Sequence, residues 1–343
     1  MEITTAPTSV RRRALPVLPR GQAFCRTHAP TAYLRVVLTA RCPLRCVYCH
    51  TEGDPARDRD TSGGLPLDVL EPLIATAVDA GVAKVKFVGG EPLVRRDLTS
   101  LVGALRARAT ARGRSLDLSV ITSGVVPPDR IGELFEAGLD RINLSIHGWT
   151  EAAFVERARG TATQFRRRAE FLEALLGHGR PLKLNFVYRG PDDETDLGAL
   201  LEWAAGRPVL VNVLDELGCE TLSPEVVRQV VVGLRGEPSD VLEDVDALGW
   251  RTLHLVWCDG LRVEIKHQRL GTLAPWTSCP GCPVRNRCRE GIDAVRLTHE
   301  GVVRPCMDRM DVGIPLVPVL RQGGVEAVRE VWTQVLDVEG QVS

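Results

Sequence analysis

The stretch YLRVVLTARCPLRCVYCH, residues 33–50, joins an apolar run to three closely spaced cysteines. Residues 33–39 indicate a buried strand, because apolar and β-branched side chains fill most of the run. The cysteines are Cys42, Cys46 and Cys49, and they follow directly in C-x3-C-x2-C spacing. Three thiolates this close together leave a disulfide framework, a zinc site or an iron–sulfur cluster as the physical options.

Composition narrows these options. The chain has 343 residues with 43 Lys and Arg against 44 Asp and Glu, and this near-neutral balance argues against general nucleic-acid binding. No apolar run reaches the roughly 18 residues of a membrane span, and the N-terminus lacks the apolar segment of a signal peptide. We therefore expect a cytoplasmic protein, in which ten cysteines indicate metal binding or catalysis rather than disulfides.

Beyond the first strand, apolar strand-like runs alternate with helical patterns. The strand candidates lie at 33–39, 84–88, 116–121, 141–146, 182–187 and 208–214. The helical patterns lie at 66–80, 97–112, 129–138, 162–178, 194–205 and 224–235. Repeats of this kind predict an α/β fold with a parallel sheet and right-handed crossovers. Six repeats are too few for an eight-stranded barrel, so the pattern predicts an open, partial (β/α)6 TIM-like barrel.

The chain divides into three predicted parts. Residues 1–31 form an irregular lead-in, residues 32–236 the partial barrel, and residues 237–343 a small cysteine-rich domain. The predicted features of the last part are a polar linker at 236–252, a hairpin at 252–267, a strand pair around 298–301 and a helix at 323–336.

The first cysteine run lies at the carboxyl end of the first strand, where α/β barrels build their active sites. Three thiolates can bind three irons of a 4Fe–4S cluster and leave the fourth iron open. A zinc site that uses His50 as fourth ligand is the alternative. The next strand ends in Gly89, Gly90 and Glu91; the glycines let the backbone approach a ligand closely, and the carboxylate can accept from an ammonium group.

Together these two motifs resemble the radical S-adenosylmethionine (SAM) enzymes. The resemblance implies that Cys42, Cys46 and Cys49 bind the cluster, that SAM binds the open iron, and that Tyr48 packs against cluster and adenine. The segment Gly89, Gly90, Glu91 and Pro92 would hold the methionine end of SAM. The resemblance also implies reductive cleavage of SAM to a 5′-deoxyadenosyl radical that abstracts hydrogen from substrate. An electron donor such as flavodoxin or ferredoxin is then expected as a partner.

Strand alternation predicts which polar side chains face the barrel lumen. The predicted inward residues are Arg35, Lys84, Lys86, Asn143, Ser145, His147, Lys183 and Asn185. By the same resemblance, Ser123, Ser145 and Asn185 are candidates for binding SAM. Arg35, Lys84, Lys86 and His147 are then left for substrate, with solvated charges at the rim as the alternative. A basic lumen indicates an anionic or polyhydroxylated small molecule.

A second cysteine group contains four thiols with C-x2-C-x5-C-x17-C spacing. Its members are Cys279, Cys282, Cys288 and Cys306. A structural zinc and a fully ligated 4Fe–4S cluster both use four thiolates. The spacing resembles the auxiliary-cluster segment of SPASM and Twitch domains, which implies a second 4Fe–4S cluster.

Three segments resemble the GTP 3′,8-cyclases of molybdenum-cofactor biosynthesis: YLRVVLTARCPLRCVYC, GGEPLVRRDL and VRLTHEGVVRPC. Arg35, Lys84 and Lys86 match phosphate-binding positions of that family, and Arg296 is retained from its arginine-rich stretch. Three features depart from it: Cys288 as a possible fourth cluster ligand, Asn212 in place of an expected arginine, and an end DVEGQVS without a Gly-Gly tail. These departures predict a divergent relative that does not act on GTP.

The resulting functional prediction is natural-product tailoring of a sugar, nucleoside or aminocyclitol by epimerisation, dehydrogenation or decarboxylation. Cys258, at the predicted hairpin tip, is the candidate hydrogen donor, and an inert turn cysteine is the alternative. Three further possibilities stay open: a GTP 3′,8-cyclase, a peptide-modifying SPASM maturase, and a SAM-binding sensor without catalysis.

Overall fold

The computed structural model describes residues 33–50, 63–216, 222–245, 251–266, 276–285, 288, 294–309 and 311–336. The predicted lead-in at 1–31 and the terminal sequence DVEGQVS lie outside the described residues.

Six strands form the centre of the molecule. They are β1 (Tyr33–Val37), β2 (Lys84–Val88), β3 (Asp117–Thr122), β4 (Arg141–Ile146), β5 (Leu182–Tyr188) and β6 (Val209–Asp215). Each strand pairs in parallel with the next one along the chain. The predicted α/β fold with a parallel sheet is therefore confirmed.

Helices connect these strands and cover one face of the sheet. They are α1 (Leu67–Asp79), α2 (Leu98–Ala111), α3 (Arg130–Glu136), α4 (Glu151–Ala158), α5 (Ala162–Gly177), α6 (Glu194–Ala204) and α7 (Pro224–Arg235). Only α4 has no counterpart in the sequence prediction. Its eight residues bury one large apolar side chain, Phe154, so helical periodicity is weak there. Local capping still marks its start, since the Thr150 hydroxyl accepts from the backbone N–H of Ala153.

The part after residue 236 extends the same sheet at both edges. Its elements are β7 (Asp240–Val245), β8 (Arg251–Val256), β9 (Arg262–Lys266), β10 (Val295–Leu297), β11 (Val302–Arg304), β12 (Ile314–Pro315) and α8 (Leu316–Leu336). Strand β9 pairs in parallel with β6, and β10 pairs in parallel with β1. The sheet order is therefore β12-β11-β10-β1-β2-β3-β4-β5-β6-β9-β8-β7. The boundary at 236 stays a prediction, but the sheet itself continues across it.

Two local predictions in this part need correction. The segment 240–245 is a strand rather than a linker, because β7 pairs antiparallel with β8. Three acidic residues and two exposed apolar ones, Val241 and Leu242, conceal its strand pattern. The last helix is longer than predicted and is interrupted at Gly324, where the backbone is not helical.

Helix α8 packs against α1, at the outside of the barrel. Trp332 is fully buried there, and its indole N–H donates to the carbonyl oxygen of Leu73 at 2.9 Å. Although α8 has 21 residues, no helix in the described ranges is long and apolar enough to cross a membrane.

Candidate active site

A cavity of about 360 Å³ runs along the lumen, from the starts of the strands to the residues that follow β1. We call residues 41–50 the cluster loop, since they carry the first cysteine run. All eight side chains that alternation placed inward line this cavity: Arg35, Lys84, Lys86, Asn143, Ser145, His147, Lys183 and Asn185. The opposite faces of the same strands are buried against the helices, as Ile142, Leu144 and Ile146 of β4 illustrate.

Helices α4 and α5 hold the cluster loop in place. The backbone N–H groups of Arg45 and Val47 donate to the carbonyl oxygens of Ala158 and Arg157 at 3.0 and 2.9 Å. The side-chain amide of Gln164 donates to the carbonyl oxygen of Pro43 at 3.2 Å. These bonds fix the cluster loop against α4 and α5. The three cysteines of the loop line the cavity.

The three thiols of the cluster loop line the cavity together with His50. Cys42 and Cys46 also pack against a small apolar cluster that includes Leu44 and Phe154. In the described parts of the chain, no group of three or more His, Cys, Asp and Glu residues is arranged around a single metal ion. Each thiolate of a 4Fe–4S cluster binds a different iron, so three thiols leave the fourth iron open. The donor set, three thiols on one cavity wall, fits a cluster.

Tyr48 is held by several neighbours at once. Its hydroxyl lies 2.7 Å from Nδ1 of His147. The guanidinium groups of Arg157 and Arg189 lie 5.7 and 5.8 Å from its ring centroid. Burial, followed by the nearby Cys46, raises the pKa of the Tyr48 phenol well above its ordinary value, so the ring is neutral.

Arg157 is a site residue that sequence reasoning missed. Its side chain is 2% exposed and makes ion pairs with Asp193 and Asp196 at 3.4 and 3.7 Å. It also donates to the carbonyl oxygen of Val187. An arginine on a helix normally faces solvent, so its sequence context carried no signal of this role.

Gly89 and Gly90 bring the end of β2 against the start of the cluster loop. A Cβ atom on Gly90 would lie 2.2 Å from the carbonyl oxygen of Arg41, and one on Gly89 would lie 2.6 Å from that of Thr39. Gly89 also has a φ of 147°, which side chains rarely adopt. Both glycines line the cavity.

Glu91 lies buried in a network of hydrogen-bond donors. Its carboxylate accepts four hydrogen bonds, from the N–H of Leu93, the hydroxyl of Thr122, and both the N–H and hydroxyl of Ser123. The residue is 1% exposed, and neither Glu91 nor Pro92 lines the cavity. Burial raises the pKa of Glu91, and the four donors oppose that shift. The protein alone thus supplies donors to both oxygens of Glu91, and its contact to the SAM ammonium stays a prediction.

Three cations of the cavity gather around Tyr33, at the starts of β1 and β2. Arg35 donates to the Tyr33 hydroxyl at 3.1 Å, and the ammonium groups of Lys84 and Lys86 lie 4.7 and 5.7 Å from its ring centroid. Burial, followed by the charge of Lys86, lowers the pKa of Lys84. Like charges are therefore close enough to repel each other here.

Two predicted residues lie elsewhere. Arg296 is beside Arg35 in strand register, but it is 1% exposed, donates to the carbonyl oxygen of Ala294, and does not line the cavity. Cys258 is exposed in the turn between β8 and β9. Because β9 runs parallel to β6, with Val211 beside Val263, this turn lies at the start of β6, opposite the cluster loop. Cys258 is therefore not among the residues that line the cavity, and this position does not support hydrogen donation to a substrate.

All four cysteines of the second group line a separate cavity of about 30 Å³. Cys306 faces this small cavity, whereas the next residue, Met307, lines the large one. Consecutive residues of the chain therefore line the two cavities at this point. Four thiols around one space suit either a zinc ion or a 4Fe–4S cluster in donor chemistry.

Comparison with known proteins identifies the family. A family model described as the Radical SAM superfamily matches residues 36–204. A curated relative from Methanocella arvoryzae, named probable GTP 3′,8-cyclase, is 32% identical over 301 residues, which cover 86% of this chain and 87% of the relative. The chain belongs to the radical SAM superfamily. Within it, the chain is a homologue of the proteins named GTP 3′,8-cyclase.

Further matches agree with this assignment. A GTP 3′,8-cyclase from Caulobacter vibrioides is 29% identical over 302 residues, covering 86% of this chain and 80% of that protein. The crystal structure of Streptococcus suis SuiB bound to SAM has a TM-score of 0.58 at 14% identity, over 87% of this chain and 65% of SuiB, which shows the shared fold. The protein is thus a radical SAM enzyme, and its family uses a 4Fe–4S cluster and SAM.

The relatives overturn one prediction. Tailoring of sugars, nucleosides or aminocyclitols in natural-product biosynthesis is wrong as the main function, because the curated relatives that span most of the chain are named GTP 3′,8-cyclase. The departures at Cys288, at Asn212 and at the chain end had carried that prediction. They do not outweigh similarity that extends over most of the chain.

Proposed function

We propose that this radical SAM enzyme acts on a guanosine nucleotide in a reaction of the GTP 3′,8-cyclase type. The observation that carries the proposal is the cation group around Tyr33, formed by Arg35, Lys84 and Lys86. Phosphate oxygens accept charge-assisted hydrogen bonds from such groups. Burial, followed by repulsion from Lys86, lowers the pKa of Lys84, and a bound phosphate would offset that repulsion.

The cavity supports a defined placement of the cofactors. Cys42, Cys46 and Cys49 would bind the 4Fe–4S cluster, and Gly89 and Gly90 would bring backbone N–H and C=O groups up to SAM. Ser123, Ser145 and Asn185 also line the cavity and remain candidates for SAM binding. When bound, the cluster and SAM supply the one-electron chemistry that removes hydrogen from the substrate. The chain's part is to position the nucleotide, which we assign to the Tyr33 cation group and His147.

We further propose that Cys279, Cys282, Cys288 and Cys306 bind a second 4Fe–4S cluster. Support comes from their common cavity and from the adjacency of Cys306 and Met307, which brings this site next to the large cavity. At such a position a second cluster can exchange an electron with the substrate.

The activity is tested with anaerobically reconstituted protein, SAM, GTP and dithionite, which replaces the flavodoxin or ferredoxin donor. We expect 5′-deoxyadenosine and a cyclised guanosine nucleotide in equal amounts by mass spectrometry. The control is a Cys42→Ala/Cys46→Ala/Cys49→Ala variant, which should form neither. Release of 5′-deoxyadenosine without any nucleotide product would refute the substrate assignment.

Iron and sulfide counts on the same two proteins test the second cluster. Two 4Fe–4S clusters predict about eight irons in the wild type and about four in the triple variant. About four irons and none, respectively, would mean that the four cysteines of the small cavity hold zinc or no metal.

A further inference from the structure

Two arginines line the small cavity together with the second cysteine group. They are Arg285 and Arg309, and both are partly buried. Asp308 also lines this cavity, but it is exposed to solvent, which screens its charge. A guanidinium group stays protonated in proteins, so the four thiols share their cavity with two lasting positive charges.

An ion pair fixes the guanidinium group of Arg309. Its Nε and one terminal nitrogen donate to the two carboxylate oxygens of Asp311, each at 2.7 Å. The side chain of Arg309 is 13% exposed and that of Asp311 is 66% exposed, so the carboxylate is the partner that faces solvent. This two-point contact holds the guanidinium in one orientation and leaves its other terminal nitrogen for a second acceptor.

That second acceptor is the thiol of Cys282. The hydrogen bond to Asp311 raises the pKa of Arg309, burial opposes this rise, and a hydrogen bond to the Cys282 thiol adds to it. Burial raises the pKa of the Cys279 thiol, whereas the charges of Arg285 and Arg309 lower it. The two arginines therefore act on at least two of the four sulfur atoms.

Arg285 is held near the thiols by the backbone. Its N–H donates to the carbonyl oxygen of Cys282 at 3.0 Å, and its own carbonyl oxygen accepts from the N–H of Cys288 at 3.3 Å. Arg285 thus lies in the turns that connect the second cysteine of the group to the third, and its position is tied to theirs.

Positive charge has a defined effect on an iron–sulfur cluster. The reduced cluster carries one more negative charge than the oxidised one, so a nearby cation stabilises the reduced state. Hydrogen bonds to the cluster sulfurs also set the reduction potential. An arginine that donates to a ligand sulfur supplies both effects, whereas a zinc ion has no redox chemistry for them to change.

We propose that Arg309 is a positioning residue of the second cluster and raises the reduction potential of that cluster by donating to the sulfur of Cys282. Arg285 adds a second positive charge from the turns before Cys288. A raised potential makes the second cluster a better acceptor for an electron from the large cavity. This inference rests on the proposed function, because it concerns the second cluster assigned there.

The test follows the second cluster alone, in the Cys42→Ala/Cys46→Ala/Cys49→Ala background. An anaerobic redox titration is monitored by the electron paramagnetic resonance signal of the reduced cluster. At a fixed ambient potential, Arg309→Gln should lower the ratio of reduced to oxidised cluster about tenfold, as the loss of one charge-assisted hydrogen bond allows. For a one-electron couple this is a shift of about 59 mV. Arg309→Lys keeps the charge but loses the two-point contact with Asp311, and it should lower the ratio about threefold.

The matched control is Arg321→Gln, which removes an exposed arginine of α8 that does not line the small cavity. It should change the ratio less than about twofold, because solvent and salt screen exposed charges. Arg285→Gln removes the second cation of the cavity and should lower the ratio in the same direction as Arg309→Gln.

An unchanged ratio in an Arg309→Gln protein that binds about four irons would overturn the proposal. So would equal shifts in Arg309→Gln and Arg321→Gln, because the effect would then be one of net charge. If Arg309→Gln binds no iron, unchanged ratios in both Arg309→Lys and Arg285→Gln would overturn it. Failure of the proposed second cluster is a separate result, namely no iron in the triple variant before any arginine is replaced.

Discussion

Glu91 shows how one buried carboxylate organises the ligand end of β2 and β3. It receives donors from the turn after β2 and from Thr122 and Ser123 at the end of β3. These bonds hold together two of the loops that line the cavity. Glu91 therefore positions residues that line the cavity.

Glu91→Gln is expected to destabilise the protein by about 1–3 kcal/mol, because the new amide N–H groups would face existing donors. The free energy of unfolding in urea measures the effect. The control is Glu136→Gln on the exposed face of α3, which should stay within about 0.5 kcal/mol of the wild type. Equal unfolding free energies of the two variants would show that the hydrogen bonds to Glu91 do not contribute to stability.

Tyr48→Phe removes the hydroxyl that meets Nδ1 of His147. We expect product formation to fall several-fold with iron content unchanged, because the cysteine ligands remain while a polar group at the cavity loses its partner. The matched control is Tyr188→Phe, which removes a hydrogen bond to Glu194 away from the cavity lining. Equal activity of the two variants would show that the contact between the Tyr48 hydroxyl and His147 does not contribute to the reaction.

Helix α4 acts as the support of the cluster loop. It supplies two backbone acceptors to the loop, and from its last turn Arg157 extends beneath Tyr48. Arg157 also lies 4.7 Å from the ring centroid of Phe186 and links α4 to the acidic start of α6. A short helix with little apolar surface is thus fixed by one buried charge.

Arg157→Met should cost about 3–5 kcal/mol of unfolding free energy, because Asp196 would lose its buried cation and Asp193 would keep only Arg189. The triple variant Arg157→Met/Asp193→Asn/Asp196→Asn is the control and should recover part of that loss. Iron content measured beside the unfolding curves reports whether the cluster loop loosens. A stable Arg157→Met protein with full iron content would contradict the supporting role.

The outer layer of the molecule converges on Asp79 at the end of α1. Arg108 of α2, Arg112 directly after α2 and Arg329 of α8 all lie within ion-pair distance of its carboxylate. Burial alone would raise the pKa of Asp79, but the hydrogen bond and charge of Arg108, with Arg112 and Arg329, lower it overall. This one carboxylate therefore joins the amino-terminal and carboxy-terminal parts of the chain.

A lowered pKa in the folded state stabilises the protein above the unfolded value of about 3.9, and this stability is lost as the pH falls below it. Asp79→Asn should therefore be less stable than the wild type at pH 7, and the difference should narrow below about pH 4. Urea midpoints from pH 7 to pH 3 measure this, with Asp68→Asn at the exposed start of α1 as control. A stability difference that stays constant with pH would contradict a lowered pKa of Asp79 in the folded protein.

Some of this architecture could be predicted from sequence because it depends on local pattern. The period of two along a buried strand was enough to place Lys84, Lys86 and Asn143 in the lumen. Strand order is not local. Nothing in the sequence near Cys258 therefore indicated that its turn lies at the start of β6. The same holds for Glu264, whose partner Lys183 is 81 residues away. The role of Glu91 depends on donors about 30 residues further on, which the motif alone does not contain.

The two added sheet edges have a consequence for the order of events during synthesis. Trp332 meets Leu73 across 259 residues of chain, and β1 receives β10 only when Val295 has been made. At roughly 5–20 residues per second on the ribosome, the apolar edge of β1 waits on the order of 10–50 s for its neighbour. An unpaired apolar strand edge is a template for aggregation. Chains that terminate before Val295 should therefore accumulate as insoluble material, and the nascent barrel needs protection until β10 emerges.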